Sequence, residues 1–84
     1  MKIVFKLFAT LQDFLPAEAR RTSAVTIELA EGTKIIDVIE SYGIARAMCH
    51  LVLVDGFYIP PAQWDGRVLR DGETLAIWPP VAGG

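Results

Sequence analysis

Glu31-Gly32-Thr33-Lys34-Ile35-Ile36-Asp37-Val38-Ile39-Glu40-Ser41-Tyr42-Gly43, residues 31–43, is the stretch on which the fold turns. Ile35, Ile36, Val38, Ile39 and Tyr42 recur at helical spacing, while Lys34, Asp37, Glu40 and Ser41 fall elsewhere. The spacing predicts an amphipathic helix, whose apolar stripe must lie on another element. Thr33 is the expected N-cap, because its hydroxyl oxygen can accept from an N–H that the first turn leaves free. Gly43 stops the run, as a left-handed residue just past a helix does.

What flanks this helix has a different period. Residues 1–9 alternate: Met1, Ile3, Phe5 and Leu7 point one way, and Lys2, Val4, Lys6 and Phe8 the other. Period two with good β-formers is a strand with one core-facing side. Residues 24–30 alternate again, with Val25, Ile27 and Leu29 inward, and pair with the first strand as a long-looped antiparallel hairpin. Between them, Leu11-Gln12-Asp13-Phe14-Leu15 is long enough for one helical turn before Pro16 ends it. After the helix, His50 to Val54 is an apolar run, and Asp55-Gly56 is a strong two-residue hairpin signal. Phe57-Tyr58-Ile59 returns, Pro60-Pro61 ends it, and Trp64 falls in the loop that follows. Asp71-Gly72 turns the chain into a last strand, Thr74 to Trp78, with Leu75 and Ile77 inward and Ala76 and Trp78 outward. Strand, strand, helix, strand, short strand, strand is an α+β layer: one helix on one face of a mixed sheet of four to five strands.

Composition narrows the function. The chain has 84 residues, enough for one domain with one modest core and too few for a large buried cavity. Hydrophobic residues make up 52% and charged residues 21%, which excludes wholesale disorder. A net charge of −2 argues against a nucleic-acid partner. No apolar run approaches a membrane span, and the lysines in Met1-Lys2-Ile3-Val4-Phe5-Lys6 do not suit a signal peptide. One cysteine allows no internal disulfide, which fits a reducing, cytoplasmic setting. One histidine and one cysteine are too few for a usual zinc site, so no metal is expected.

Catalytic motifs are missing too. There is no Gly-rich phosphate loop with lysine and no nucleophile elbow. Cys49 and His50 are adjacent, so on a strand they point to opposite faces and make a poor nucleophile–base pair. The exception is the segment Asp71-Gly72-Glu73-Thr74-Leu75-Ala76-Ile77-Trp78-Pro79-Pro80-Val81-Ala82-Gly83-Gly84. A strand runs into Pro79-Pro80, which forbids further ladder bonding and favours an extended exit. Val81, Ala82, Gly83 and Gly84 follow, small and uncharged, a shape suited to a narrow groove on another protein. The reactive group at the tip is the Gly84 carboxylate, a poor acyl donor until it is adenylated. Nothing in the chain is built to hold ATP, so an activating partner is expected and no bound cofactor.

These residues resemble the ubiquitin-like sulfur carriers, the small subunit of molybdopterin synthase and the thiamine-pathway carrier. The strongest part runs from Asp71-Gly72-Glu73 to Gly83-Gly84. Phe8-Ala9-Thr10-Leu11, Phe14-Leu15-Pro16, Glu31-Gly32-Thr33 and Leu53-Val54-Asp55-Gly56 support it. The Pro-Pro-Val-Ala-Gly-Gly ending favours the molybdopterin type. The resemblance implies a β-grasp (ubiquitin-like) domain over residues 1–78 and a carrier tail over 79–84. It implies that a ubiquitin-activating-type adenylyltransferase adenylates Gly84 with ATP and that a sulfur donor enzyme makes the thiocarboxylate. The tail would then deliver sulfur to the pterin precursor held by the molybdopterin synthase large subunit. The carrier would not be an enzyme in itself. It further implies a partner-binding apolar patch at Phe8, Tyr58 and Trp78, with Lys2, Lys6 and Arg70 as candidates to orient partners. The chain departs from the family's habit at Asp55, where Asn is common, and at Trp78, where Phe is usual.

Three other readings share these residues. One is a thiamine-pathway or other sulfur carrier. Another is a protein modifier joined to lysines through Gly84. The third is an interaction module whose tail is inert.

Overall fold

Six residues, Lys2–Leu7, form β1, and their alternation decides how the sheet is assembled. Ile3, Phe5 and Leu7 are each at most 1% exposed and anchor the core face. The structure, a computed structural model, describes residues 1–80. β2 (Ala24–Glu28) lies antiparallel to β1, with Phe5 opposite Val25. α1 (Ile35–Ser41) crosses to β3 (Leu51–Val54), which turns into the short β4 (Phe57–Tyr58). β5 (Thr74–Trp78) then inserts between β1 and β3. The sheet order is β2-β1-β5-β3-β4, with β1 and β5 parallel and every other neighbour antiparallel. This is the expected mixed sheet, with five strands and one main helix on one face.

Turn chemistry accounts for the tight corners. Asp55 and Gly56 have φ of 50° and 84°, the two positive values that a type I′ hairpin requires. Gly43 has φ 72°; its N–H donates to Glu40 O and that of Ile44 to Ile39 O, which completes a Schellman stop. Ile44 is itself buried beyond the stop.

The helix begins one residue later than its sequence suggests. Lys34, not Thr33, is the N-cap, and its N–H donates to the Asp37 carboxylate at 2.9 Å. The Thr33 hydroxyl instead donates to Ala30 O at 2.7 Å, while Thr33 O accepts from Leu69 N–H at 2.8 Å. The loop after β4 captures this stretch as an isolated bridge, Lys34 to Val68, and delays the helix.

Trp64 has a larger role than its loop position predicts. It is 1% exposed and among the largest side chains in the core. Its indole N–H donates to Ile59 O at 2.9 Å, which meets the need of a buried polar edge. The same loop supplies carbonyls to the helix start: Ile36 N–H donates to Trp64 O and Ile35 N–H to Arg67 O. Those are N–H groups that no residue within the helix can satisfy. Arg46 braces the loop from outside, 5.0 Å from the Trp64 ring and hydrogen-bonded to Asp65 and Pro61 O.

The turn before β5 is held by one ion pair. Arg67 Nη2 lies 2.7 Å from Glu73 Oε2, and Glu73 Oε1 also accepts from Arg70 N–H at 2.6 Å. Burial alone would raise the Glu73 pKa, but the Arg67 bond, the Arg70 N–H and the two positive charges outweigh it and hold the carboxyl below its ordinary value. A carboxylate depressed in the folded state contributes its full share of stability above its unfolded pKa and loses it as pH falls through the folded one. Glu73→Gln should therefore cost about 1–3 kcal/mol at neutral pH. Urea melts should show the gap between wild type and variant closing as the pH drops below the ordinary glutamate range.

Candidate functional site

The face of the sheet away from α1 presents residues in rows set by register. Lys6, Ala76, Leu53 and Tyr58 lie side by side across β1, β5, β3 and β4. One step towards the end of β5, Trp78 lies opposite Leu51. Phe8 stacks on Trp78, with ring centroids 4.3 Å apart and planes within 8°. Phe8, Trp78 and Tyr58, singled out from the sequence, thus share one face. Phe8 and Trp78 touch, and Tyr58, 55% exposed, stands two strands from Trp78 beyond Leu51 and Leu53. The patch is wider than its aromatics, since Leu51, Leu53 and Ala76 link them. Strand alternation would have added both leucines, but their exposure depends on which strand lies beside them. Ala76 faces outward as expected yet is only 7% exposed, for its small side chain lies between the rows of Lys6 and Leu53.

Phe8 is held there by the backbone. Its N–H donates to Ile77 O at 3.2 Å, which prolongs the β1–β5 ladder by one bond. Ala9 then adopts φ 53°, a left-handed value costing an L-residue about 1–2 kcal/mol, and turns the chain into the 3-10 turn Ala9–Phe14. Phe8 is thus the last residue of its run on the open face.

The cations divide. Lys2 and Lys6 lie on the open face by alternation, and among the described residues neither forms an ion pair. Arg70 sits in the loop before β5, where its N–H serves Glu73. Pro79 is buried and Pro80 exposed where the chain leaves the sheet beside the Phe8–Trp78 stack. Val81, Ala82, Gly83 and Gly84 lie outside the described residues.

Among the described residues the lone cysteine does not compete as a reactive site. Cys49 is buried, its Sγ 3.8 Å from Ala45 O, and burial pushes its thiol up against a smaller downward pull from Arg46. A thiol kept protonated is a poor nucleophile, and His50 beside it is exposed. Among the described residues no three His, Cys, Asp or Glu side chains gather as metal ligands, and no helix is long and apolar enough to cross a membrane.

A single central strand, flanked by an apolar open face and leading into Pro79-Pro80, can present whatever follows it to another protein. A family model described as the ThiS family matches residues 5–84. The chain belongs to the ThiS family. The ThiS-family chain has the β-grasp fold of the ubiquitin-like sulfur carriers, as the resemblance implies. A search of curated proteins returns no match. Solved structures do match. SAMP1 from Haloferax volcanii superposes with a TM-score of 0.67 at 21% identity, covering 100% of both chains. The thiamine biosynthesis protein ThiS from Geobacter metallireducens gives 0.65 at 15% identity, again over 100% of both. A putative molybdopterin converting factor, subunit 1, from Pyrococcus furiosus gives 0.65 at 25% identity, over 96% of this chain and 99% of that one.

Proposed function

We propose that this ThiS-family chain is a sulfur carrier for molybdopterin synthesis, loaded at Gly84. The observation that carries the reading is the junction at Trp78-Pro79. There the central strand leaves the sheet beside a stacked aromatic pair and leads into Pro-Pro-Val-Ala-Gly-Gly. In this proposal a Gly84 carboxylate oxygen attacks the α-phosphate of ATP on an adenylyltransferase, and pyrophosphate leaves. Hydrosulfide supplied by a sulfur donor enzyme attacks the acyl carbon, AMP leaves, and a thiocarboxylate remains. On the molybdopterin synthase large subunit the sulfur passes to the pterin precursor, and hydrolysis returns the carboxylate. The carrier binds no cofactor, works in the cytoplasm, and contributes one acyl group and two docking surfaces, the tail 79–84 and the face of domain 1–78. Likeness to the Pyrococcus protein and the Pro79-Pro80-Val81-Ala82 spacer support molybdopterin as the destination. The family match itself also favours the thiamine pathway as a second reading. Intact-mass analysis of protein from its own cells tests the carrier chemistry: a thiocarboxylate replaces one oxygen by sulfur, and isopeptide-linked Gly-Gly on other proteins would point to a modifier instead. Complementation of hosts lacking either carrier then separates the two pathways.

The patch makes its own prediction. Trp78→Ala and Phe8→Ala each remove half of a stacked pair, and a central aromatic anchor is worth about 2 kcal/mol or more at an interface. Calorimetric titration with the adenylyltransferase should show about 30-fold weaker binding for either variant, with the fold retained by circular dichroism.

A further inference from the structure

The sheet closes one of its two edges and leaves the other open. A strand at an edge carries N–H and C=O groups without partners and invites a further strand. At one edge β4 is two residues long and runs through Ile59 into Pro60-Pro61, which stops longer pairing. At the other edge β2 has five residues, among them no proline, glycine or lysine.

The ladder with β1 fixes which groups of β2 point outward. Met1 and Leu29 exchange both bonds, at 2.9 and 2.7 Å, and Leu7 N–H donates to Ser23 O at 3.0 Å. Odd-numbered residues of β2 thus face β1, and Ala24, Thr26 and Glu28 turn their backbone groups to the free edge. The opposite strand agrees: Val4 lies across from Thr26, and its N–H donates to Glu73 O, away from β2. The free row stops at these three residues. Ala30 O already accepts from the Thr33 N–H and hydroxyl, at 3.2 and 2.7 Å. Thr22 belongs to the turn before β2; its hydroxyl donates to Ala24 O at 3.3 Å, which leaves that carbonyl a second lone pair.

Three outward residues select one register for a second copy. Running antiparallel about a two-fold axis at Thr26, it sets Thr26 against Thr26 and Ala24 against Glu28 on either side. A shift of two residues either way would bring Thr22 or Ala30 into the ladder instead. The charges fit the same register. On the open face Lys2 lies beside Glu28, and Lys6 beside Ala24. Each Glu28 would then lie between its own Lys2 and, across the small Ala24, Lys6 of the second copy. On the α1 side the half-buried Val25 and Ile27, packed at the rim of the core, would meet Ile27 and Val25 of the second copy.

We propose that the free edge of β2 is a homodimer interface, on which a second copy of this chain adds antiparallel with Thr26 on the two-fold axis. Two five-stranded sheets then become one. β5 and its exit lie two strands from this edge, so both copies keep them free. Five residues a side make a small contact, so the dimer is weak.

Sedimentation velocity of the full chain should show monomer when dilute and dimer by about 1 mM. Thr26→Pro removes an outward N–H and no bond to β1, so it should fold and stay monomeric throughout. Glu28→Lys and Lys6→Glu should each weaken association about fivefold, the weight of two exposed ion pairs. An equimolar mixture of these two variants should regain wild-type association, because every row across the axis again holds opposite charges. If Thr26→Pro does not fold, the charge variants decide alone. Wild type that remains monomeric to about 1 mM would overturn the proposal; weaker binding of the adenylyltransferase by Thr26→Pro would then assign the edge to a strand of that partner. A dimer that survives Thr26→Pro would also overturn it, and its loss on Trp78→Ala would assign it to the open face. A mixture no tighter than its components would overturn the register.

Discussion

Deleting Gly83 and Gly84 is expected to abolish sulfur transfer entirely while the thermal midpoint of the domain stays where it is. The first half follows from chemistry. If Gly84 carries the acyl group, its loss moves the carboxylate two residues back, onto Ala82, and out of reach of an active site that measures the tail from the docked face. A misplacement of about 1 Å can cost 100-fold in a positioned reaction, and two residues of extended chain amount to several ångströms. The second half follows from packing, because among the described residues the hydrophobic core runs from Ile3 to Ile77, with Pro79 buried just past it. Sulfur transfer in a reconstituted system gives one readout and a thermal melt the other. A deletion variant that transfers sulfur at the wild-type rate would leave only the inert-tail module.

The second large effect is on stability. Trp64→Ala should cost about 3–5 kcal/mol, as removal of a buried aromatic does. For a chain of this size that lowers the thermal midpoint by about 4–8 °C for each kcal/mol. The loss exceeds the ring's own burial, since Ile59 O loses the indole donor and Arg46 loses the ring it covers. Trp64→Phe separates these contributions. It keeps most of the volume and should cost about 1 kcal/mol for the missing hydrogen bond. Equal midpoints for Trp64→Ala and wild type would mean that the loop does not brace the helix start.

How far the sequence could be read depended on whether the signal was local. Alternation on β1 and β5 put Phe8 and Trp78 outward, and the spacing of Ile35, Val38 and Ile39 put them inward. Both depend only on the strand or helix period. Asp55-Gly56 named its own turn, because few residue pairs accept two positive φ values. What stayed hidden was set by neighbours far along the chain. Nothing within residues 74–78 says that they insert between β1 and β3. Trp64 has polar and small neighbours in sequence, Gln63, Asp65 and Gly66, so no apolar period marks it as core. Thr33 loses its capping role to a contact with Leu69, 36 residues away.

The central place of β5 also has a mechanical consequence. A partner that seizes the tail and tugs along the strand axis loads the β1 and β3 ladders in shear, so the bonds of both share the force at once. Had the tail grown from β2 or β4 at the rim, the same tug would have met one ladder alone and could have peeled it bond by bond. The handle is attached at the point of the molecule hardest to unravel by pulling.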